Sequence, residues 1–422
     1  MKKALALILA MIMVLSLAAC AKDTNPTEAP KPTDAATDAP TNGGDTDNTD
    51  GTDAPKAEAS QNLKIVYCGT SLSTDSGARL EQLARLFEKQ VNEAGGINGR
   101  EVEMVVIDGG SDQQAYINAL LKALEEDNVS AVIGTFYSQY ALACADYVNE
   151  AKVPVFNLAT NFEMREKSDY YFTNRCVDTA FSNVMAQVAI DNGCKNPVAV
   201  VYNTSNGKND SQFMKNYLEA NGASMADIVE FDNTSTTDYT PIVQKAINTP
   251  NSDGILLHAT VNTDGQSIIA LLKQYDYKYP VISNSNLFSD AFMNNCGAEN
   301  CIGLMGFSEY PTVEIRPQVK EFTDMILSSD IYTYTDPSWV DASFWDDCNL
   351  ILEAAKIAGD NDKDSVYAGL SQVADYEGVM TSYTFHEDGS YANYIYLATI
   401  VEDKDSEIGA SIKVTEPLKV EH

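Results

Sequence analysis

The chain has 422 residues, 28 basic against 61 acidic side chains and a net charge of −33. Such a field repels phosphate backbones and anionic headgroups, so a nucleic-acid role is disfavoured. The length exceeds what one small core serves, and two domains or lobes are expected.

The first element is a leader over residues 1–19. Lys2 and Lys3 precede an apolar run, and Leu17-Ala18-Ala19 leads into Cys20. The run is too short for a comfortable membrane span and reads as a cleaved targeting segment. Leu-Ala-Ala-Cys resembles the bacterial lipoprotein cleavage box, in which the cysteine is acylated and becomes the mature N-terminus. An ordinary signal peptide or an uncleaved anchor is the alternative. The acidic, proline-rich stretch that begins directly after Cys20 favours lipidation.

Residues 20–61 form the next segment, rich in Ala, Thr, Asp, Pro, Asn and Gly with no aromatic side chain. It lacks the apolar surface needed to offset its ordering entropy and is expected to be a disordered tether. As a coil it would average about 35 Å end to end, and about 130 Å pulled straight. Leader and tether hold five basic and nine acidic residues, which leaves 23 and 52 in the remainder, a net charge of −29.

From Leu63 onward, apolar strands alternate with amphipathic helices. Leu63–Tyr67 is a β-branched run, after which Leu80, Leu83, Ala84, Phe87 and Val91 recur at helical spacing. Strand, helix, strand, helix and strand are expected over 102–107, 115–124, 131–133, 141–148 and 153–156. A second series begins after Asp178, with strands expected at Val198–Tyr202, 228–231, 254–257 and 280–282 and helices between them. Helices at 319–327 and 342–358 and strand-like runs at 380–385 and 394–401 complete the pattern. Alternation of this kind specifies an α/β fold with parallel sheets covered by helices on both faces, in two blocks.

In open α/β sheets, ligands bind outside the carboxyl ends of the strands. Those ends are rich here in neutral hydrogen-bonding side chains. Ser73 follows the first strand. Tyr137, Ser138 and Gln139 follow the third, and Asn157, Thr160 and Asn161, with the candidate Ala159 among them, follow the fourth. In the second block Asn206, Thr260 and Ser285 follow three different strands. Polar loops and helix caps explain any one of these residues. The same bias at six strand ends points to two facing polar walls that hydrogen-bond a small ligand between them. Of the aromatic side chains near these loops, Tyr137, Tyr140 and Trp345 are candidates to cover an apolar part of it, Tyr137 foremost.

Seven cysteines follow Cys20, an odd and scattered set that is no disulfide scaffold. Cys296 and Cys301 are near enough for a local bridge; buried or free thiols are the alternative. Three histidines and no paired-cysteine knuckle give a metal site little support, and no cofactor motif is present.

The order of motifs resembles the extracytoplasmic solute-binding proteins of ABC transporters, in the group that includes the branched-chain amino-acid receptors. The segments that carry the resemblance are 64–77; Val91-Asn92-Glu93-Ala94-Gly95-Gly96-Ile97-Asn98-Gly99; Val132-Ile133-Gly134 with Tyr137-Ser138; and 378–391, with Phe385-His386-Glu387-Asp388-Gly389. The resemblance implies two Rossmann-like lobes joined by three crossings, the type 1 periplasmic-binding-protein fold. It implies one lobe over 62–177 plus 310–377 and another over 178–309 plus 378–422, closing on the ligand like a hinge. By the same resemblance Ser138 and Thr160 hold a ligand carboxylate, and Asp178 lies near a ligand ammonium; Asp178 is also a candidate helix N-cap. Two positions depart from the family pattern: Ser285 stands where amino-acid binders carry an acid, and Gly207 where they often carry a tyrosine.

The expected function is a monomeric, lipid-anchored receptor on the outer face of the bacterial cell membrane. It binds a small polar solute, an amino acid or related compound, and hands it to an ABC permease. A ligand sensor for a membrane signalling partner is a second reading. An exported enzyme is a third; the sequence offers it only His258 as a candidate base.

Overall fold

The runs Leu63–Tyr67 and Val198–Tyr202 each become the second strand of a parallel sheet. The computed structural model describes residues 59–422 apart from Asn233; Cys20, the leader and all but the end of the tether lie outside the described residues. Ala59, Ser60 and Gln61, read from the sequence as tether, are tied down. The Ala59 amide donates to Asn98 O (2.8 Å), and the Ser60 amide and hydroxyl both donate to Asp360 Oδ1 at 2.8 Å.

The first series comprises β1 (Leu63–Tyr67), α1 (Asp75–Glu93), β2 (Val102–Val106), α2 (Gln113–Leu124), β3 (Val129–Ile133), α3 (Ser138–Ala143), α4 (Ala145–Ala151), β4 (Val155–Phe156), α5 (Glu163–Lys167) and β5 (Tyr171–Phe172). The second comprises α6 (Asp178–Asp191), β6 (Val198–Tyr202), α7 (Ser205–Ala220), β7 (Asp227–Phe231), α8 (Thr240–Ile247), β8 (Ile255–Leu257), α9 (Asn262–Gln274), β9 (Val281–Ser283), a 3-10 turn at Ser285–Leu287, α10 (Asp290–Cys296), α11 (Ala298–Cys301) and β10 (Met305–Ser308). Then follow α12 (Pro317–Leu327), α13 (Trp339–Ala358), α14 (Lys363–Leu370), β11 (Tyr376–Glu377), β12 (Ser382–Tyr383), β13 (Tyr394–Glu402) and β14 (Ala410–Lys419).

The first sheet is parallel with strand order β2-β1-β3-β4-β5. In the second, β7-β6-β8-β9-β10 repeats that order in parallel, and β13 and β14 extend it antiparallel. Strands with cores on both faces read as unbroken apolar runs. In β1, Leu63, Ile65 and Tyr67 enter one core and Val66 the other; in β6, Ala199 and Val201 alternate with Val198, Val200 and Tyr202. After β10 the chain returns to the first sheet, where α13 lies against α1 and β1 and α14 against β3, before β13 rejoins the second.

The run at 380–385 is a strand only at Ser382–Tyr383. Asp346 on α13 takes the Val379 and Met380 amides at 2.8 and 2.9 Å and the Tyr383 hydroxyl at 2.6 Å, which diverts bonds a longer strand would use. The helix expected over 141–148 is interrupted at Cys144, which caps α3 and opens α4.

Candidate functional site

In both sheets the strand order reverses beside the second strand, between β1 and β3 and between β6 and β8, and such switch points open a crevice at the carboxyl ends. The two lobes build these mouths with the same parts. After β1, Thr74 caps α1 by accepting from the Gly77 amide (3.1 Å); after β6, Thr204 caps α7 by accepting from the Gly207 amide (3.3 Å). A Cβ on Gly77 would lie 2.1 Å from Ser71 O, and one on Gly207 2.2 Å from Tyr202 O. No tyrosine fits at Gly207 for that reason. After β4, Asn157 Oδ1 accepts from the Thr135 amide (3.2 Å), and after β9, Asn284 Oδ1 accepts from the Ala259 amide (3.2 Å). Each asparagine pins the loop beyond the neighbouring strand.

On the first wall, Ser73 is exposed and its hydroxyl lies 2.9 Å from that of Ser71. Tyr137 is 54 % exposed, its amide held by Thr135 Oγ1 at 3.0 Å and its ring tilted on Tyr140 at 4.9 Å. Ser138 opens α3, half-buried, and Gln139 is exposed beside it. Ala159 is buried, its amide bonded to Thr135 O (3.1 Å). Trp345, a candidate for the ligand wall, packs instead against Phe87 and Phe322 at 5.3 and 5.9 Å, in the core behind α1.

The two walls meet at several places. Thr160 Oγ1 donates to Asp178 Oδ1 (2.6 Å), and the Asp178 amide donates to Thr160 O (2.9 Å). Asn161 Nδ2 donates to Asn206 Oδ1 at 3.3 Å, and Phe162 packs edge-on against Phe213 at 5.2 Å. Asp178 is not the N-cap of α6; Val177 holds that position and Asp178 follows it in the first turn. Thr260 is exposed, its amide bonded to the Tyr202 hydroxyl (3.1 Å) and its carbonyl to Asn286 Nδ2 (3.4 Å).

Ser285 leads to a residue that sequence reading missed. Its hydroxyl donates to Glu309 Oε1 (3.1 Å), just beyond β10. Glu309 is gripped by Arg175, with Nε to Oε2 at 2.7 Å and Nη2 to Oε1 at 2.6 Å. Arg175 also donates to Leu158 O (2.6 Å) and lies over the Trp339 ring, 4.9 Å from its centroid. Burial opposes the Arg175 charge, and the Glu309 carboxylate outweighs it and raises the pKa.

A second missed group surrounds Asp178. His258 follows β8, and its Nδ1 lies 2.8 Å from Asp210 Oδ2 on α7. Burial and the Asp210 carboxylate push Asp178 up to about 6, against the opposing pull of Thr160, His258 and Arg175. Burial lowers the His258 pKa, but the Asp210 and Asp178 carboxylates prevail and raise it. Neither partner is close to Asp178 in the chain, and no local pattern announces them.

The seven described cysteines are free and buried, Cys296 and Cys301 among them. Each of these two thiols faces a carbonyl at 3.7 Å, Gln266 O and Gly297 O. Among the described residues no cluster of three His, Cys, Asp or Glu side chains is arranged for a metal, and no helix is long and apolar enough to cross a membrane. A cleft of about 700 Å³ lies beside the first crossing, lined by Phe162, Val177, Thr179, Asp388 and His422 among others. It contains none of the sequence-derived candidates, and the strand-end mouths are the better-founded site.

A family model described as periplasmic binding protein matches residues 65–405. The Leu/Ile/Val-binding protein homolog 1 of Brucella melitensis is 23 % identical over 318 residues, 74 % of this chain and 82 % of that protein. Among solved structures, the leucine-binding protein of Thermotoga maritima superposes with a TM-score of 0.69 at 20 % identity, over 85 % of this chain and 99 % of that one. A branched-chain amino-acid transporter substrate-binding protein from Streptococcus pneumoniae, in complex with isoleucine, gives 0.67 at 20 % identity, over 84 % and 100 %. An ABC transporter solute-binding protein from R. palustris, in complex with 4-hydroxybenzoate, gives 0.70 at 20 % identity, over 85 % and 98 %. Paired switch points, a duplicated strand order and a match over most of the chain agree: this protein belongs to the periplasmic binding protein family, whose solved members named above are binding proteins and not enzymes.

Proposed function

We propose that this chain is a lipid-anchored extracytoplasmic receptor that binds a small polar solute, an amino acid or related compound, between its two sheets and delivers it to an ABC permease. Cys20 carries the acyl anchor, and the acidic tether gives the receptor its reach. The lobes are 62–177 plus 310–377 and 178–309 plus 378–422. The receptor acts as a monomer.

The observation that carries this reading is the Thr160–Asp178 pair, where a hydroxyl of one wall meets a half-buried carboxylate of the other. A ligand ammonium placed there gains a charge-assisted hydrogen bond from Asp178. Its carboxylate then falls toward Ser138, whose hydroxyl has no protein partner among the described residues. Ser73, Tyr137 and Gln139 border the same wall, and Asn206, Thr260 and Ser285 the opposite one. The solutes named for the solved relatives, isoleucine and 4-hydroxybenzoate, are small carboxylic acids of the size such a cleft takes. Native mass spectrometry of the purified protein, followed by calorimetric titration with amino acids and small carboxylic acids, tests the reading. A retained small molecule or a saturable heat signal supports it, and silence across the whole panel refutes it. Metabolic labelling with a fatty acid, lost in Cys20→Ala, tests the anchor.

A further inference from the structure

The second wall is mostly polar. Beyond β6 the exposed side chains are Asn203, Ser205 and Asn206, and beyond β8 they are Thr260 and Asn262; Val261, 40 % exposed, is the one large apolar side chain among them. An aliphatic ligand side chain laid here would desolvate hydrogen-bonding groups and return nothing to them.

At the centre of this wall stands His258. Its Nδ1 is buried against Asp210 Oδ2 at 2.8 Å, and Asp210 is itself 3 % exposed, steadied by the Ser182 hydroxyl at 3.3 Å. The imidazole keeps 19 % of its surface, and its Nε2 has no protein hydrogen-bond partner among the described residues. With Nδ1 covered, the open edge of the ring is the Nε2 edge. The ring follows directly on the carboxyl end of β8, at the strand-end mouth of the second wall. The contact is an ion-pair approach and not an aligned hydrogen bond, but it sets a carboxylate behind the imidazole and leaves the outer nitrogen on the open side.

We propose that the cleft selects a ligand whose side chain carries a hydrogen-bond acceptor (a hydroxyl, carboxamide or carboxylate) and that His258, oriented by Asp210, donates to that acceptor from Nε2. This rests on the reading that the cleft binds an amino acid or a close relative. Aliphatic amino acids are then poor ligands here, whatever the solved relatives hold. A site that donates to a substrate acceptor rejects the analogue lacking it far more strongly than an apolar pocket distinguishes one methylene.

Calorimetric titration of the wild-type protein with serine, threonine, asparagine, glutamine, aspartate and glutamate, and separately with leucine, isoleucine and valine, provides the test. The expected result is at least one polar ligand bound on the order of 100-fold more tightly than any aliphatic one. His258→Leu should cost that ligand a similar factor, and His258→Gln, which retains a donor, should recover part of it; a thermal melt of each variant reports whether it is folded. Leucine, isoleucine or valine binding as tightly as the best polar ligand overturns the proposal and leaves the amino-acid receptor intact. A polar preference unchanged in folded His258→Leu overturns the role given to His258. No binding in either set overturns this proposal, while the receptor reading is decided by the wider panel of amino acids and small carboxylic acids.

Discussion

Replacing Arg175 with methionine isolates the ion pair at the base of the two walls. The guanidinium makes two short bonds to Glu309 and one to Leu158 O, and the Arg175 and Glu309 side chains are only 14 and 8 % exposed. Removing the cation strands a buried carboxylate with only the Ser285 hydroxyl beside it. Breaking such a pair from one side costs about 3–5 kcal/mol, whereas replacing both partners with apolar groups is often close to neutral. The orphaned Leu158 carbonyl adds about 1 kcal/mol to either variant. Arg175→Met should therefore lose about 4–6 kcal/mol, and Arg175→Met with Glu309→Leu should recover most of that loss, down to about 1 kcal/mol. Urea unfolding followed by circular dichroism, extrapolated linearly to water, measures both, and the cycle completed with Glu309→Leu gives the coupling. A single variant within about 1 kcal/mol of wild type, or a double variant no better than the sum of the singles, refutes the argument.

Other outcomes follow from the same geometry. Asp178 sits at about 6, above the ordinary carboxylate value of 3.8, so the native state holds its proton more tightly than the unfolded chain. Its contribution to stability is thus present at low pH and falls as pH rises from about 4 to about 6, and Asp178→Asn should flatten that decline in a pH series of thermal melts. The ionised form is the one that meets an ammonium, so affinity for an amine-bearing ligand should rise as pH climbs through about 6, and Asp178→Asn should abolish that rise in calorimetry. Ser138→Ala should weaken binding about tenfold or more, the worth of one hydrogen bond to a charged group, with no change in melting temperature; unchanged affinity would remove Ser138 from the site. Gly207→Ala drives a Cβ to 2.2 Å from Tyr202 O, and destabilisation of about 1–3 kcal/mol should appear on denaturation.

What the chain revealed in advance tracks how local its physics is. Leu63–Tyr67 and Val198–Tyr202 match the strands residue for residue, because a strand buried on both faces is largely apolar, interrupted in the first only by Lys64 and in the second not at all. β14 escaped notice because it is an edge strand: its sequence alternates weakly and includes Pro417, which an edge tolerates and an interior strand does not. The bias of the strand ends toward hydroxyls and amides was visible, and so were Thr160 and Asp178. The partners of Asp178 were not. Asp210 and His258 are 48 residues apart, and Arg175 and Glu309 are separated by 134, with no periodicity to link either pair. Trp345 misled because an aromatic residue on a helix carries no sign of which face is turned inward.

The duplicated parts and the unduplicated ones divide the work of the two mouths. Thr74 with Gly77 and Thr204 with Gly207 set each helix against its strand, and Asn157 and Asn284 pin the adjoining loops, so the scaffold is the same twice. Charge breaks the symmetry. The first wall offers the hydroxyls of Ser73, Ser138 and Thr160; the second brings Asp178, Asp210 and His258, with Glu309 reached through Ser285. On the receptor reading, a zwitterionic solute seated on one wall alone satisfies one end and leaves the other in water. Only with both walls present are its ammonium and its carboxylate paired at once. Ligand binding then favours the conformation that brings the walls together by as much as the second wall's contacts exceed their desolvation, and no further. The Asn161–Asn206 and Phe162–Phe213 contacts are neutral and lie at the margin, so they hold this arrangement without charge of their own. Selectivity is accordingly a property of the second wall, where a change of one residue alters what is paired and leaves the shared scaffold untouched.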